Sequence, residues 1–350
     1  MQPITCQSSN GVQPIGLYFG YLTPSSPNGT IVFFTSDDGT TPDGAVPESQ
    51  HTIEQYASDY YSTFSYQVIQ TAWDNVAWED ASSDNSGGNI GYAACRPATF
   101  LSYVYNRFYT PIYQNNATAG MCIQGESAGG AAGAFALAWY GAGSASGGYI
   151  DKLSLMSSPP LSDISQGCYY DNGSYDPPVE VCPPGQLGCN ATNNPVDWTQ
   201  AIQYTNALHG VREWTGDKNC GGPNNTTPAE LANWKSMSIV DGNIGTFNYP
   251  KTNITAWLCS MVASGGGPMN NSSPEAQLFF QQFANSSQYE GLTINGVINC
   301  GNSEEVGPGT PPSNYTKIKF EGQYISLGWQ AIEYDMVQDP INSCFSHHSQ

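Results

Sequence analysis

The sequence predicts an α/β fold in which helices flank a mostly parallel central sheet. Short runs of β-branched and aromatic residues alternate with segments whose apolar residues recur at helical spacing, and this alternation is typical of successive βαβ units. The chain has 350 residues, which suffice for one such domain with an insertion. Its hydrophobic fraction of 39% indicates a folded chain with a sizeable core.

The elements of this fold follow one another along the chain. Apolar runs with strand composition occur at 30–34, 66–71, 120–124, 153–156, 254–259 and 292–298. Helical patterns occur at 97–109, 128–139, 197–213, 228–235 and 322–338. The helix predicted over 128–139 consists mainly of alanine and glycine, so it can pack closely against the sheet.

The composition changes between residues 160 and 235. Proline, glycine and asparagine are frequent in this segment, which also contains four cysteines: Cys168, Cys182, Cys189 and Cys220. Because the strand pattern resumes afterwards, we interpret 160–235 as a cap inserted into a single domain that spans 1–350. Disulfides are expected to hold this cap.

The charge balance excludes two classes of partner. Nine basic residues stand against 29 acidic ones, which gives a formal net charge of −20. Such a field repels nucleic acids and anionic membranes, so neither is expected as a partner. No apolar run approaches the ~20 residues that a membrane-spanning helix needs.

The ten cysteines predict disulfides and an extracellular location. No Cys-x-x-Cys pair or Cys/His cluster is present, so we expect no metal site, and nothing in the sequence calls for a cofactor. An even cysteine count is typical of an oxidising compartment, and eleven Asn-x-Ser/Thr sequons agree with export and with N-glycans. The first residues lack the pattern of a signal peptide, so we expect that a signal was removed and Met1 added.

The segment Gly125-Glu126-Ser127-Ala128-Gly129 follows a predicted strand directly and opens the predicted small-residue helix. This Gly-x-Ser-x-Gly arrangement resembles the nucleophile elbow of the α/β-hydrolase superfamily. The resemblance implies that Ser127 is a nucleophile on a strained strand-to-helix turn. Glycines at 125 and 129 would keep side chains away from the closely approaching backbone. The resemblance also implies an oxyanion hole made by the amide of Ala128 and an amide from the turn-rich loop 36–40, for which Gly39 is the candidate. This loop lacks the His-Gly-Gly pattern of many lipases and esterases.

The histidine of the implied triad is harder to place. The superfamily order is serine, then acid, then histidine, and the chain contains only four histidines: His51, His209, His347 and His348. His51 precedes the serine, His209 falls in the predicted cap, and the segment 298–305 after the last predicted strand contains no histidine. Chain order therefore leaves His347, or else His348, at the end of the chain.

Cys344 lies three residues before His347, so a disulfide could tie this end of the chain to the body of the domain. Some tannase-like and feruloyl-esterase-like hydrolases brace their catalytic histidine with a neighbouring disulfide. This chain differs from them in that Cys122 lies five residues before Ser127 rather than beside it.

The acid is also open to two interpretations. Asp241 follows the apolar run 236–240, which resembles the strand-then-acid pattern of the third triad member. If the penultimate strand is instead at 252–259, Asp241 is an ordinary turn residue before Gly242.

Two functions fit these observations. The first is a secreted serine esterase that acts on an uncharged acyl ester, either a small molecule or a polymer. The second is a catalytically silent relative that has lost its histidine and serves as an extracellular binding or structural protein. The elbow favours the enzyme, and the missing histidine after the last strand favours the silent relative.

Overall fold

The computed structural model describes residues 2–4, 6, 11–34, 60–73, 77–80, 89–126, 128–142, 149–156, 158–165, 227–241, 249, 252–258, 279, 293–298 and 344. The strands among them are β1 (Gln2–Ile4), β2 (Ile15–Leu22), β3 (Gly29–Phe34), β4 (Gln67–Trp73), β5 (Gly120–Glu126), β6 (Lys152–Met156), β7 (Asn253–Leu258) and β8 (Thr293–Ile298). The helices are α1 (Ile90–Ala93), α2 (Cys95–Val104), α3 (Thr110–Asn115), α4 (Ala128–Tyr140) and α5 (Pro228–Lys235). A π-helical turn (Tyr105–Tyr109) joins α2 to α3, and a 3₁₀ turn (Ile239–Asp241) follows α5.

The eight described strands form one sheet in the order β1-β2-β4-β3-β5-β6-β7-β8. Six of these strands run parallel to one another: β4, β3, β5, β6, β7 and β8. Among the described strands, only β1 and β2 pair in antiparallel fashion. The predicted mostly parallel sheet is therefore confirmed. The six predicted strands correspond to β3 through β8, while β1 and β2 were not predicted.

β3 and β4 are buried on both faces, as expected when helices cover a sheet. All six residues of β3 are buried, and α4 is buried along Ala128–Ala138. A helix that is buried on all sides can pack closely against the sheet when its residues are small. The predicted close packing of 128–139 is therefore confirmed. A Cβ on Gly133 would come within 2.6 Å of the Leu153 side chain.

Both disulfides of the described residues join distant parts of the chain. Cys6 pairs with Cys95, and Cys122 pairs with Cys344. The described cysteines are thus all paired, as predicted. The predicted bridges of the cap involve cysteines between 166 and 226, which lie outside the described residues.

The described part of the predicted cap consists of its two ends. Residues 160–165 are buried, and α5 covers Pro228–Lys235, the helix expected at 228–235. The helices predicted at 197–213 and 322–338 lie outside the described residues. None of the helices in the described part of the chain has the length and apolar character needed to cross a bilayer.

Candidate functional site

The elbow segment lies at the carboxyl end of the central strand β5. β5 pairs in parallel with β3 on one side and β6 on the other, and it ends at Glu126. α4 begins at Ala128, so a single residue separates the strand from the helix. That residue is Ser127, which itself lies outside the described residues. The strand-turn-helix context required by a nucleophile elbow is present.

Gly125 is required by a close approach of two backbone segments. A Cβ at this position would lie 2.5 Å from both Gly129 C and Gly130 N, a separation that real Cβ atoms do not show. The predicted role of Gly125 is therefore confirmed. The structure adds Gly130, where a Cβ would lie 2.2 Å from Ser158 Oγ. Sequence reasoning missed Gly130 because Ser158 approaches it from a separate segment after β6.

We expect Gly125→Ala to lower the free energy of unfolding by about 3 kcal/mol, because rigid backbone must move to admit the methyl group. Gly20→Ala in β2 is the matched control, since a Cβ there meets no atom within 4 Å. We expect the control to be neutral or to stabilise by ~0.5 kcal/mol. Urea unfolding of both variants measures the difference. Equal unfolding midpoints would show that the elbow tolerates a side chain at position 125.

The first turn of α4 is held from outside by Trp78. The indole Nε1 of Trp78 donates a hydrogen bond to the carbonyl of Ala128 at 3.0 Å, and its ring packs against Phe135 with centroids 5.2 Å apart. Both Trp78 and Ala128 are buried. This contact fixes the residue whose amide is predicted to face the oxyanion. Composition alone marks Trp78 only as a core or cleft residue.

Arg96 in turn fixes the segment that carries Trp78. Its buried guanidinium donates to the carbonyl of Trp78 at 2.8 Å, to that of Asp80, and to that of Gln13 at 3.0 Å and 3.2 Å. A buried cation that satisfies three carbonyls makes the 77–80 segment rigid, because moving it would leave those carbonyls and the charge without partners. Arg96 on α2 thus supports the start of α4 through Trp78.

The apolar run 236–240 is not a strand, so the strand-then-acid pattern proposed for Asp241 is wrong. Residues 236–238 form a turn after α5, and Asp241 ends the 3₁₀ turn that precedes β7. Met237, Ser238 and Ile239 are all buried, without the alternation of a strand, and Ile239 N donates to the carbonyl of Leu161 at 3.2 Å. The side chain of Asp241 lies outside the described residues.

These backbone contacts bring a second acidic residue beside the turn that ends at Asp241. Val240 N donates to the carbonyl of Ser162 at 3.1 Å, so Asp163 lies beside the 3₁₀ turn. Asp163 is buried and accepts a hydrogen bond from Ser165 Oγ at 2.5 Å. It also falls between Ser127 and the last histidines in chain order. Its surroundings, Ser-Asp-Ile-Ser after a proline pair, gave no sequence signal.

The end of the chain is tied to the strand that leads to the elbow. Cys344 is bonded to Cys122 of β5, with Cα atoms 5.8 Å apart and 222 residues between them in sequence. The Tyr66 hydroxyl donates a hydrogen bond to the carbonyl of Cys344 at 3.5 Å, and burial raises the pKa of Tyr66 to about 12. The predicted tether at Cys344 is therefore confirmed, with Cys122 as the partner. The candidate residues His347, His348 and Gly39 lie outside the described residues.

The described residues contain no group of three or more His, Cys, Asp or Glu side chains arranged to hold a metal ion.

No protein-family model and no curated protein matches the chain. In structure it is similar to a bacterial heroin esterase, with a TM-score of 0.46 and 10% identity over 98% of this chain and 82% of that one. It is also similar to esterase B from Lactobacillus rhamnosis, with a TM-score of 0.42 and 9% identity over 83% of this chain and 72% of that one. A third similarity is to puromycin hydrolase, with a TM-score of 0.46 and 9% identity over 98% of this chain but only 38% of that one.

The chain has the α/β-hydrolase fold. Its own features carry this assignment: a mostly parallel sheet covered by helices, with a Gly-x-Ser-x-Gly segment that joins the central strand to a buried helix.

Proposed function

We propose that the chain is a secreted serine hydrolase that cleaves carboxylic esters, with Ser127 as the nucleophile. The observation that carries the proposal is the junction at the end of β5, where one residue separates the strand from α4 and Gly125 presses against the backbone of residues 129 and 130. Such a turn exposes the serine at the edge of the sheet where substrate can approach.

In the proposed reaction, Ser127 Oγ attacks the ester carbonyl carbon and passes its proton to a histidine. The carbonyl oxygen becomes an oxyanion and accepts hydrogen bonds from the amide of Ala128 and from an amide of the 36–40 loop, for which Gly39 is the candidate. The histidine then protonates the departing alcohol, and water releases the acid from the acyl-enzyme.

The start of α4 supports the assignment of Ala128 to the oxyanion hole. The first amides of a helix have no partner within the helix, and the helix dipole adds partial positive charge at this end. Ala128 is the first residue of α4, and the Trp78 hydrogen bond to its carbonyl holds it in place. A donor that is fixed before the reaction stabilises the oxyanion without reorganisation.

The Cys122–Cys344 bridge supports the assignment of His347 or His348 as the base. β5 rises ~3.3 Å per residue, so Glu126, the last residue of the strand, lies about 13 Å along it from Cys122. The three residues from Cys344 to His347 span at most about 11 Å. With an imidazole added, this length reaches the carboxyl end of β5 when the chain after Cys344 runs in that direction.

Two carboxylates compete for the role of the acid, Asp241 and Asp163. Both follow Ser127 in the chain, and the hydrogen bonds between 161–162 and 239–240 bring their segments together. Asp241→Asn and Asp163→Asn are isosteric and remove the charge. We expect the acid to be the one whose asparagine variant lowers kcat by about 10⁴-fold at unchanged KM.

The substrate class follows from the charge of the chain. A net charge of −20 repels anionic substrates, so an uncharged acyl ester, of a small molecule or a polymer, is the proposed substrate. The disulfides Cys6–Cys95 and Cys122–Cys344 support an oxidising, extracellular location, where the sequons could carry N-glycans.

Covalent labelling tests the nucleophile independently of the natural substrate. We expect a fluorophosphonate to modify the native protein at Ser127, as located by mass spectrometry of the labelled peptide, because an activated serine attacks phosphorus as it attacks an ester. A panel of uncharged short-chain esters should be hydrolysed by the same preparation. Labelling at another residue contradicts the proposal.

The alternative is a catalytically silent relative with a binding or structural role. One observation favours it: Cys344 packs against Tyr66, which lies at the amino end of β4, far from the elbow. Absence of both labelling and turnover would establish this alternative. Labelling without turnover would mean an oxyanion pocket around a serine that lacks its base.

A further inference from the structure

The connection between α3 and β5 carries a sequon, Asn116-Ala117-Thr118, in a turn at the surface. Asn116 follows α3 as its cap residue with an extended backbone (φ −144°, ψ 94°), and Ala117 and Thr118 are both exposed. The amide of Ala119 closes the turn by donating to the carbonyl of Asn116 at 3.0 Å. A surface turn is where an Asn-x-Ser/Thr segment can accept a bulky glycan.

The side chains of Asn116 and Thr118 are held together. Asn116 Oδ1 accepts hydrogen bonds from the amide of Thr118 at 3.1 Å and from its hydroxyl at 2.7 Å, which is the geometry of an Asx turn. Among the described residues, Asn116 Nδ2 donates only to the carbonyl of Pro27, at 3.5 Å. The turn therefore presents the asparagine amide and the threonine hydroxyl together, and the nitrogen keeps a second hydrogen that a sugar can replace.

The sequon that begins at Asn28 is less available. Asn28 is exposed, but its Nδ2 donates to the carbonyl of Phe64 at 2.9 Å and its backbone amide donates to that of Ser65 at 2.8 Å. Thr30 is fully buried in β3, and its hydroxyl donates to Gln67 Oε1 at 3.1 Å. The hydroxyl of this sequon is therefore inside the sheet.

The sequon that begins at Asn253 lies within the sheet itself. Asn253 is half-buried, and it stands between Lys152 of β6 and Thr293 of β8. Thr255 is buried, and its hydroxyl accepts a hydrogen bond from the buried ammonium group of Lys152. A glycan on Asn253 would have to fit beside two paired strands. Of the three sequons that the structure describes in full, only that of Asn116 has both its asparagine amide and its hydroxyl at the surface.

We propose that Asn116 is an N-glycosylation site and the preferred one of these three sequons. Asn116 Nδ2 forms a bond to C1 of an oligosaccharide carried on a lipid diphosphate. The bond from C1 to the phosphate oxygen breaks, the lipid diphosphate leaves, and one proton leaves the nitrogen. The remaining Nδ2 hydrogen still donates to the carbonyl of Pro27. The proposal rests on the extracellular location proposed above, because the secretory pathway supplies the oligosaccharide donor and the transferase.

The position of Asn116 separates the glycan from the proposed active site. Asn116 stands shortly before the amino end of β5, whereas Ser127 follows the carboxyl end of the same strand. From Gly120 to Glu126 the strand spans about 20 Å. We therefore expect the glycan to leave the hydrolysis of a small ester unchanged.

Peptide mapping of the whole chain, secreted from a eukaryotic host, tests the proposal. An amidase that removes N-glycans converts each modified asparagine to aspartate, and heavy-oxygen water labels this aspartate for mass spectrometry. We expect the label at Asn116 in most molecules, and at lower occupancy at Asn28 and Asn253. Secreted chain without label at Asn116, or with equal label at Asn28 or Asn253, would overturn the proposal.

Two variants of Thr118 are the matched pair for this experiment. Thr118→Val removes the hydroxyl at nearly constant shape, and we expect the intact protein to lose the mass of one glycan. Thr118→Ser keeps the hydroxyl and should keep the glycan. A glycan retained at Asn116 in Thr118→Val would overturn the role of the hydroxyl. Fluorophosphonate labelling and ester hydrolysis should be equal in both variants and in the unmodified chain, so failure of this site is distinguishable from failure of the proposed function.

Discussion

Replacement of Ser127 with alanine is expected to lower kcat for a short-chain aryl ester by about 10⁴- to 10⁶-fold, the loss that follows removal of the nucleophile from a serine triad. The residual rate would come from the oxyanion donors and from substrate binding alone. The free energy of unfolding should change by less than ~1 kcal/mol, because alanine lacks only a hydroxyl. Steady-state kinetics and urea unfolding of the same preparation measure the two quantities.

Ser102→Ala is the matched control for this experiment. Ser102 lies half-buried on α2, away from the elbow, and the same atom is removed. We expect its kcat and KM to equal those of the unmodified chain. If Ser127→Ala retains the full rate, the Gly-x-Ser-x-Gly segment is a structural turn and the esterase proposal fails. If both variants lose activity together, the loss reflects folding rather than chemistry.

The six parallel strands could be predicted because each is a buried apolar run with strand composition. β1 and β2 escaped prediction for physical reasons. β1 has only three residues and contains Pro3. β2 lies toward the edge of the sheet and keeps Tyr18, Tyr21 and Leu22 exposed, so its apolar residues do not mark a buried face. In such a strand, apolar residues do not indicate which face is buried.

The elbow was predictable because its requirements are local. The Gly-x-Ser-x-Gly pattern and the strand-to-helix junction that it predicts lie within five consecutive residues. The residues that support the turn come from elsewhere in the chain. Ser158 and Trp78 reach it only through tertiary packing, and no pattern in their own segments indicates this.

The prediction of Asp241 as the triad acid failed for the same reason, because contacts with a distant segment determine the local structure. Asp241 was a candidate because it follows the apolar run 236–240, yet this run forms a turn and a 3₁₀ turn in which Met237, Ser238 and Ile239 are all buried. An apolar run indicates that side chains are buried, but it does not determine which backbone hydrogen bonds form. Here the amides of Ile239 and Val240 pair with residues 161 and 162, so a segment 78 residues earlier decides the structure.

The second prediction with a large expected effect concerns His347 and His348. We expect either His347→Ala or His348→Ala to lower kcat by about 10⁴- to 10⁶-fold, because the base and the nucleophile of a triad act as a unit. The other variant of the pair should retain activity and serves as the control for altering the tail. If both retain full activity, the base lies elsewhere and the tether has no catalytic role.

The role of the Cys122–Cys344 bridge can be tested by comparison with the second disulfide, Cys6–Cys95. Cys122→Ala/Cys344→Ala and Cys6→Ala/Cys95→Ala each remove one bridge, with sequence separations of 222 and 89 residues. In the chain-entropy model each loss costs roughly 2–5 kcal/mol. The difference in loop length adds only about 0.8 kcal/mol between them. The two double variants are therefore matched in their expected effect on stability.

The activities of the two double variants should differ under conditions in which both remain folded. Loss of Cys122–Cys344 removes the bond that ties the segment before His347 and His348 to β5, and misplacement of a catalytic group by about 1 Å can cost on the order of 100-fold in rate. We therefore expect kcat to fall by about 100-fold in Cys122→Ala/Cys344→Ala and by less than about 2-fold in the other double variant, both measured well below their unfolding midpoints. Equal activities would show that the bridge serves stability alone. A selective loss would support a catalytic histidine that follows Cys344 and is held by the bond between Cys344 and β5.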